Sequence, residues 1–294
     1  MSSDRIAGAP ISWGVCEVPG WGHQLPVARV LGDMRDIGLT GTEFGPDGFL
    51  PDEPEARREL LSDYGLAAVG GFVPTVLHDP AVDPVDDIER RVPAFLRAGA
   101  QRVVLAAATG QDGYDSRPVL DEQGWSRLLR NLDRVAAAAS SHGLTVSLHP
   151  HVGTMVETAD DVARVIAGSS VPLCVDTGHM TIGGTDVAAF VEAHADRVGH
   201  VHVKDVDAAL AARVRSGDVE YTDAVRRGLY TSIGAGDIDF RRIVLTLERA
   251  GYTGVYVLER DVILDSAPQP GQGPASDVAA AAAYLSDLIS LVTA

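Results

Sequence analysis

Short runs of β-branched and aliphatic residues alternate along the chain with longer stretches whose apolar positions recur every three or four residues. The short runs predict strands at residues 6–12, 41–44, 67–72, 102–106, 145–149, 173–176, 198–203 and 254–259. The longer stretches predict helices at 26–37, 53–64, 84–98, 125–142, 159–167, 186–194, 240–250 and 277–291. Five helices are followed by a glycine just before the next strand: Gly38, Gly65, Gly99, Gly143 and Gly251. Glycine there marks a left-handed helix exit. Eight strands in alternation with helices call for parallel βαβ units, and the count favours a closed (β/α)8 barrel in one domain over residues 1–294. An open dinucleotide-binding sheet would carry Gly-x-Gly-x-x-Gly after its first strand, whereas Ser12-Trp13-Gly14-Val15-Cys16-Glu17 stands here. The stretch 205–233 is an insertion after the seventh strand, at the barrel end where such folds place their active sites, and reads as a lid or rim. Residues 265–276, rich in Pro and Gly, read as a surface loop.

Composition narrows the partners. The chain has 294 residues, 24 Lys+Arg against 41 Asp+Glu, and a net charge of −17. That charge opposes a nucleic-acid partner, which needs a basic face. No apolar run of about 20 residues stands out as a membrane span. The opening residues Met1-Ser2-Ser3-Asp4-Arg5 lack the basic and apolar regions of a secretory leader. Cys16 and Cys174 as the only cysteines suit a reducing compartment without a disulfide. The expectation is a cytoplasmic enzyme acting on a small molecule.

The polar residues at the strand ends point to its chemistry. Residues two apart on a strand share a face. On the seventh strand that rule turns His200, His202 and Lys204 inward, with Val201 and Val203 toward the helices. The same rule places Thr145, Ser147 and His149 on one face, Cys174 with Asp176, and Val257 with Glu259. Four consecutive strands thus deliver His149, Asp176, His202 and Glu259 to one rim. Two imidazoles with two carboxylates suit Mn²⁺, Co²⁺, Fe²⁺ or Zn²⁺ better than Ca²⁺.

Each of these residues also has a plainer reading. Asp176 or Thr177 would serve as a helix N-cap. His200 sits one layer below His202 as a hydrogen-bonded interior residue, and Glu259 with Arg260 makes an ordinary ion pair. His23, His78, His142 and His194 are assigned to surface or loop. Four strand ends carrying such residues in succession favour the metal site.

Val175-Asp176-Thr177-Gly178-His179, His200-Val201-His202-Val203-Lys204-Asp205 and Leu258-Glu259 resemble the xylose-isomerase-like TIM barrels, a superfamily of sugar isomerases, ketose epimerases and inosose dehydratases. Further segments make the chain most similar to the inosose dehydratases. These are Pro10-Ile11-Ser12-Trp13-Gly14-Val15, Gly41-Thr42-Glu43-Phe44-Gly45-Pro46, His149-Pro150-His151-Val152-Gly153-Thr154 and Gly234-Ala235-Gly236-Asp237. The resemblance runs nearly end to end. It implies metal ligands at Asp176, His202 and Glu259, with His149 at a position where the epimerases carry Glu. Homo-oligomers are common among such proteins.

The implied reaction is metal-dependent dehydration of an inosose (2-keto-myo-inositol) through an enediolate. Mn²⁺ or Co²⁺ is expected first, with Zn²⁺, Fe²⁺ or Mg²⁺ as alternatives. Glu259 is the first candidate for the base, with His151 or His179 as the acid. Lys204 and Arg260 would orient hydroxyls or the oxyanion, Glu43 and Asp205 would bind substrate, and Trp13 would stack on the polyol ring. Trp13 also fits as a packing residue. The runner-up reaction is isomerisation or epimerisation of an inosose or ketose on the same metal. From another class comes a non-catalytic sugar-binding barrel. Superfamily members that act on DNA need a basic groove, which this charge does not provide.

Overall fold

The computed structural model describes residues 5–293; residues 1–4, most of the opening segment read above, and residue 294 lie outside the described residues. Eight parallel strands close into a barrel: β1 (Ile6–Gly8), β2 (Gly41–Glu43), β3 (Ala67–Thr75), β4 (Arg102–Ala107), β5 (Thr145–Leu148), β6 (Leu173–Asp176), β7 (Val198–Val203) and β10 (Tyr256–Leu258). Each strand pairs with its sequence neighbours, and β10 closes the ring between β7 and β1. The expected strand positions hold, with ends that differ by a few residues. The largest difference is at the first strand, where Pro10 turns Pro10–Trp13 into a 3-10 turn and ends β1 at Gly8.

The helices are α1 (Val27–Ile37), α2 (Pro54–Asp63), α3 (Pro84–Arg97), α4 (Glu122–Ser140), α5 (Ala159–Gly168), α6 (Thr177–Ile182), α7 (Val187–His194), α8 (Ala208–Arg215), α9 (Tyr221–Arg226), α10 (Phe240–Arg249) and α11 (Pro274–Thr293). The five glycine exits all take positive φ, between 70° and 89°. Helix α6 has no counterpart among the expected helices, because six residues are too few to show a period. The insertion carries α8, α9 and a two-stranded antiparallel ribbon, β8 (Asp205–Val206) with β9 (Tyr230–Thr231).

The main core lies between strands and helices, around residues such as Leu31, Ile88, Leu128, Val175 and Leu247. Ala7, Ala9 and Val257 form a separate small cluster. A third cluster lies under the insertion and joins Trp21 and Val152 to Tyr221, Leu229 and Tyr230, so the rim has its own apolar base. Helix α11 corrects the expectation that no span-length apolar segment exists. Pro274–Val292 is long and apolar enough to cross a membrane by length and composition. Its Ala-rich sequence raises the hydropathy, while Val278, Ala281, Leu285, Leu288 and Ile289 are buried beside α1 and α10.

Candidate metal centre

Strand ends bring the expected donors together. Asp176 at the end of β6 pairs laterally with His202 on β7. His202 Nδ1 lies 2.7 Å from Glu259 Oε2 and 3.6 Å from Asp176 Oδ2. His149, just past β5, sets its Nε2 3.2 Å from the same Asp176 oxygen. The other oxygen, Oδ1, accepts a 2.8 Å hydrogen bond from His179 N and caps α6. Capping and site membership therefore coexist in Asp176, one oxygen for each.

The charge balance fits a cation. Glu43, Asp176, Glu259 and Asp261 crowd the site, against one buried ammonium, that of Lys204. Lys204 Nζ lies 2.9 Å from Glu259 Oε1, 2.7 Å from Asp261 Oδ1 and 3.5 Å from Asp176 Oδ2. Burial opposes its charge, but Asp176, Asp261 and Glu259 outweigh that and hold the amine protonated. Burial likewise opposes a charged His202, yet the carboxylates of Glu259, Glu43 and Asp176 keep its affinity for a proton above the ordinary imidazole value. The field that would hold a cation thus holds a proton in the same place.

His202 Nδ1 and Glu259 Oε2 are both buried and face each other at 2.7 Å. A cation between such atoms would satisfy both. Among the described residues, two other groupings also include His202. In one, burial pushes the Cys174 thiol up to about 11, so it stays protonated and is a poor ligand. In the other, Glu43 is already committed to hydrogen bonds from His200 and His202. Asp176, His202 and Glu259, with His149 alongside, are the donors best free to bind a metal.

His149, His202 and Glu259 open onto a cavity of about 220 Å³ at the carboxyl ends of the strands, with Asp176 buried behind them. Glu43, His149, His151, His202, Lys204 and Glu259 line it. His151 is set by a local tautomer lock, since its Nδ1 lies 2.7 Å from the carbonyl oxygen of Val152, which can only accept. The proton therefore sits on Nδ1, and Nε2 keeps its lone pair. Burial, with His149 and Lys204 close by, pushes this imidazole down to about 3. Burial pushes Glu259 the other way, but His202 and Lys204 hold it at about 2.

The loop after β5 that carries His151 is pinned behind the site. A capping box joins Thr158 and Asp161, and Arg117 Nη1 reaches Asp161 Oδ2 at 2.6 Å.

Several expected site residues are elsewhere. Trp13 is fully buried in the main core and its Nε1 donates to Asp33 Oδ2 at 3.1 Å, so it has no face for a polyol ring. Asp205 follows the inward Lys204, so strand alternation turns it away from the cavity. There it accepts backbone N–H groups from Val206, Gly234, Gly236 and Ile238. Arg260 alternates outward from Glu259 and pairs with Asp277 at 2.7 Å, which also removes the expected Glu259–Arg260 pair. His179 lies one layer behind the wall, its ring centroid 3.7 Å from that of His151 and its Nε2 3.1 Å from Lys204 Nζ.

Other contributors were not singled out from the sequence. Tyr221, from the insertion, lines the cavity and donates to Asp261 Oδ2 at 2.7 Å. Tyr114, from the loop after β4, packs on His151 and donates to Glu17 Oε1 at 2.8 Å. Tyr221 opens a helix of only six residues and Tyr114 lies in a loop, so neither carries a periodic or strand-end signal and only the fold reveals them.

Comparison with known proteins agrees with this architecture. The family model described as xylose isomerase-like TIM barrel matches residues 31–285. The chain is 34% identical over 272 residues to the rhizopine catabolism protein MocC of Rhizobium meliloti, covering 89% of this chain and 82% of that protein. It is 27% identical over 268 residues to an inosose dehydratase of Geobacillus thermodenitrificans, covering 87% of this chain and 89% of that enzyme. Among solved structures it resembles the IOLI protein with a bound zinc atom, with a TM-score of 0.68 at 14% identity, covering 97% of this chain and 98% of that one. The chain belongs to the xylose isomerase-like TIM barrel family.

Proposed function

We propose that the protein is a divalent-metal-dependent hydro-lyase that dehydrates a cyclic polyol ketone of the inosose class. The observation that carries this reading is the buried pair His202 Nδ1 and Glu259 Oε2, facing each other at the cavity wall with Asp176 behind them. The relatives named inosose dehydratase, similar over most of their length, supply the substrate class. Asp176, His202 and Glu259, with His149, would hold the metal. This mixed nitrogen and oxygen set suits Mn²⁺, Co²⁺ or Zn²⁺. A bound divalent ion supplies Lewis-acid stabilisation of negative charge at the ketone oxygen, worth several kcal/mol.

The chain's own residues divide the proton transfers. His151 lines the cavity with its ring proton fixed on Nδ1 and its Nε2 unprotonated, so it is the residue placed to take the α-proton. Glu259, with its two oxygens at 2.7 Å from His202 Nδ1 and 2.9 Å from Lys204 Nζ, fits better as a ligand. Lys204 stays protonated and donates toward the departing hydroxyl, with Asp261 holding the ammonium and Tyr221 holding Asp261. The proton taken at His151 and the one given by Lys204 balance the loss of one water.

The test is His202→Ala with 2-keto-myo-inositol and Mn²⁺. Loss of both bound metal and the conjugated dione product is expected; full turnover in a metal-free variant would overturn the proposal. Exchange of the α-proton by the unaltered protein without dione formation would favour the epimerase alternative.

A further inference from the structure

Glu43 was expected to bind substrate hydroxyls, and it does line the cavity, yet the hydrogen bonds of its side chain go to two imidazoles. It ends β2 and is buried, and its Oε1 receives His200 Nε2 at 2.7 Å and His202 Nε2 at 2.9 Å. A carboxylate can only accept, so both Nε2 atoms must carry protons. Nδ1 of His200 has no hydrogen-bond partner. For His202 that atom is the one facing Glu259 Oε2 and Asp176 Oδ2. An imidazole ligates through an unprotonated nitrogen, and a carboxylate on the far ring nitrogen is what selects it.

We propose that Glu43 is a positioning residue for the metal centre: it accepts the Nε2 proton of His202 and so fixes Nδ1 as the ligating nitrogen. His200 donates to the same oxygen and holds the carboxylate in register, which gives this second interior histidine a defined task. Glu43 and His202 reach each other across the barrel interior from β2 and β7, so the contact depends on barrel closure and has no local sequence signature. The inference rests on the metal reading above.

The experiment compares Mn²⁺ and Zn²⁺ binding by the chelator-stripped wild type and Glu43→Gln, using calorimetry and chelator competition. Loss of such an outer carboxylate weakens metal binding by about 10–100-fold. That loss is expected here, together with a changed ¹⁵N signal of His202 Nε2 in the Zn²⁺-loaded protein, where Nδ1 carries no proton. Glu43→Asp, which keeps the charge with a shorter reach, should recover part of the affinity. The metal-free melting temperature of each variant reports whether the fold survives; should the Gln variant not fold, the Asp variant carries the test. Metal affinity within about twofold of wild type, with only KM raised, would overturn the inference and return Glu43 to substrate binding. A wild-type protein that binds neither metal would instead overturn the metal reading itself, and this inference with it.

Discussion

Asp205 separates a structural role from a substrate role most sharply. The residue type and the motif around it suggest substrate binding, whereas the fold makes it the anchor of the insertion. Oδ1 accepts from Val206 N at 3.0 Å and Ile238 N at 3.2 Å, and Oδ2 accepts from Gly234 N and Gly236 N at 2.9 Å each. The packing is so close that a Cβ at Gly236 would collide with Asp205 Oδ1. Asp205→Asn keeps the shape but turns one accepting oxygen into an amide donor, so two backbone N–H groups lose their acceptor. Each orphaned donor costs about 1–3 kcal/mol, and Asp205 is only 1% exposed, which gives water little access. The expected destabilisation is roughly 3–4 kcal/mol. Urea unfolding measures it, and hydrogen exchange should show protection lost over residues 229–238. KM should change little in the fraction that remains folded. A variant within about 1 kcal/mol of wild type whose KM rises strongly would refute the anchoring argument and restore the substrate role.

Two further substitutions test the placement of interior groups. Trp13→Phe removes the 3.1 Å bond to Asp33, whose Oδ2 keeps the Arg29 partner at 2.8 Å; the expected loss is about 1 kcal/mol in thermal unfolding, with unchanged kcat and KM. A rise in KM alone would return Trp13 to the substrate site. His200, fully buried, is pushed down from 6.5 to about 4 by burial. Between those values the unfolded chain binds a proton that the folded chain refuses, so the stability from neutral His200 is complete above 6.5 and lost as pH falls toward 4. At pH 5 the loss is about 2 kcal/mol. The stability difference between wild type and His200→Gln, both in chelator, should shrink by that amount from pH 7 to pH 5; a pH-independent difference would show that His200 is not held neutral.

The barrel was legible because strand and helix periods repeat eight times and glycine marks the helix exits. The donor quartet was legible for a related reason: alternation on a strand fixes which side chains face inward once one of them is known. The same rule, carried one residue further, would have excluded Asp205 and Arg260, which follow the inward Lys204 and Glu259. Trp13 left stacking and packing both open in the sequence, and the packing role holds because Pro10 converts the expected end of the first strand into a 3-10 turn whose indole lies in the core. Tyr221, at the start of the short α9, and Tyr114, on the loop after β4, are placed by distant contacts such as Asp115 with Thr222.

The division of acid and base roles required charges in space. From residue types alone, Glu259 is the natural base and a histidine the natural acid. In the fold, Glu259 shares His202 and Lys204 as neighbours, which lower it to about 2. His151 has the Lys204 ammonium and His149 beside it, and burial disfavours its cation further. Lys204 in turn has three carboxylates within 4 Å and keeps its proton. One buried ammonium among four carboxylates therefore leaves the imidazole without a proton to give, keeps the Glu259 carboxylate ionised, and makes itself the available proton donor. A cation at Asp176, His202 and Glu259 would strengthen that ordering, since added positive charge further disfavours protonation of both Glu259 and His151.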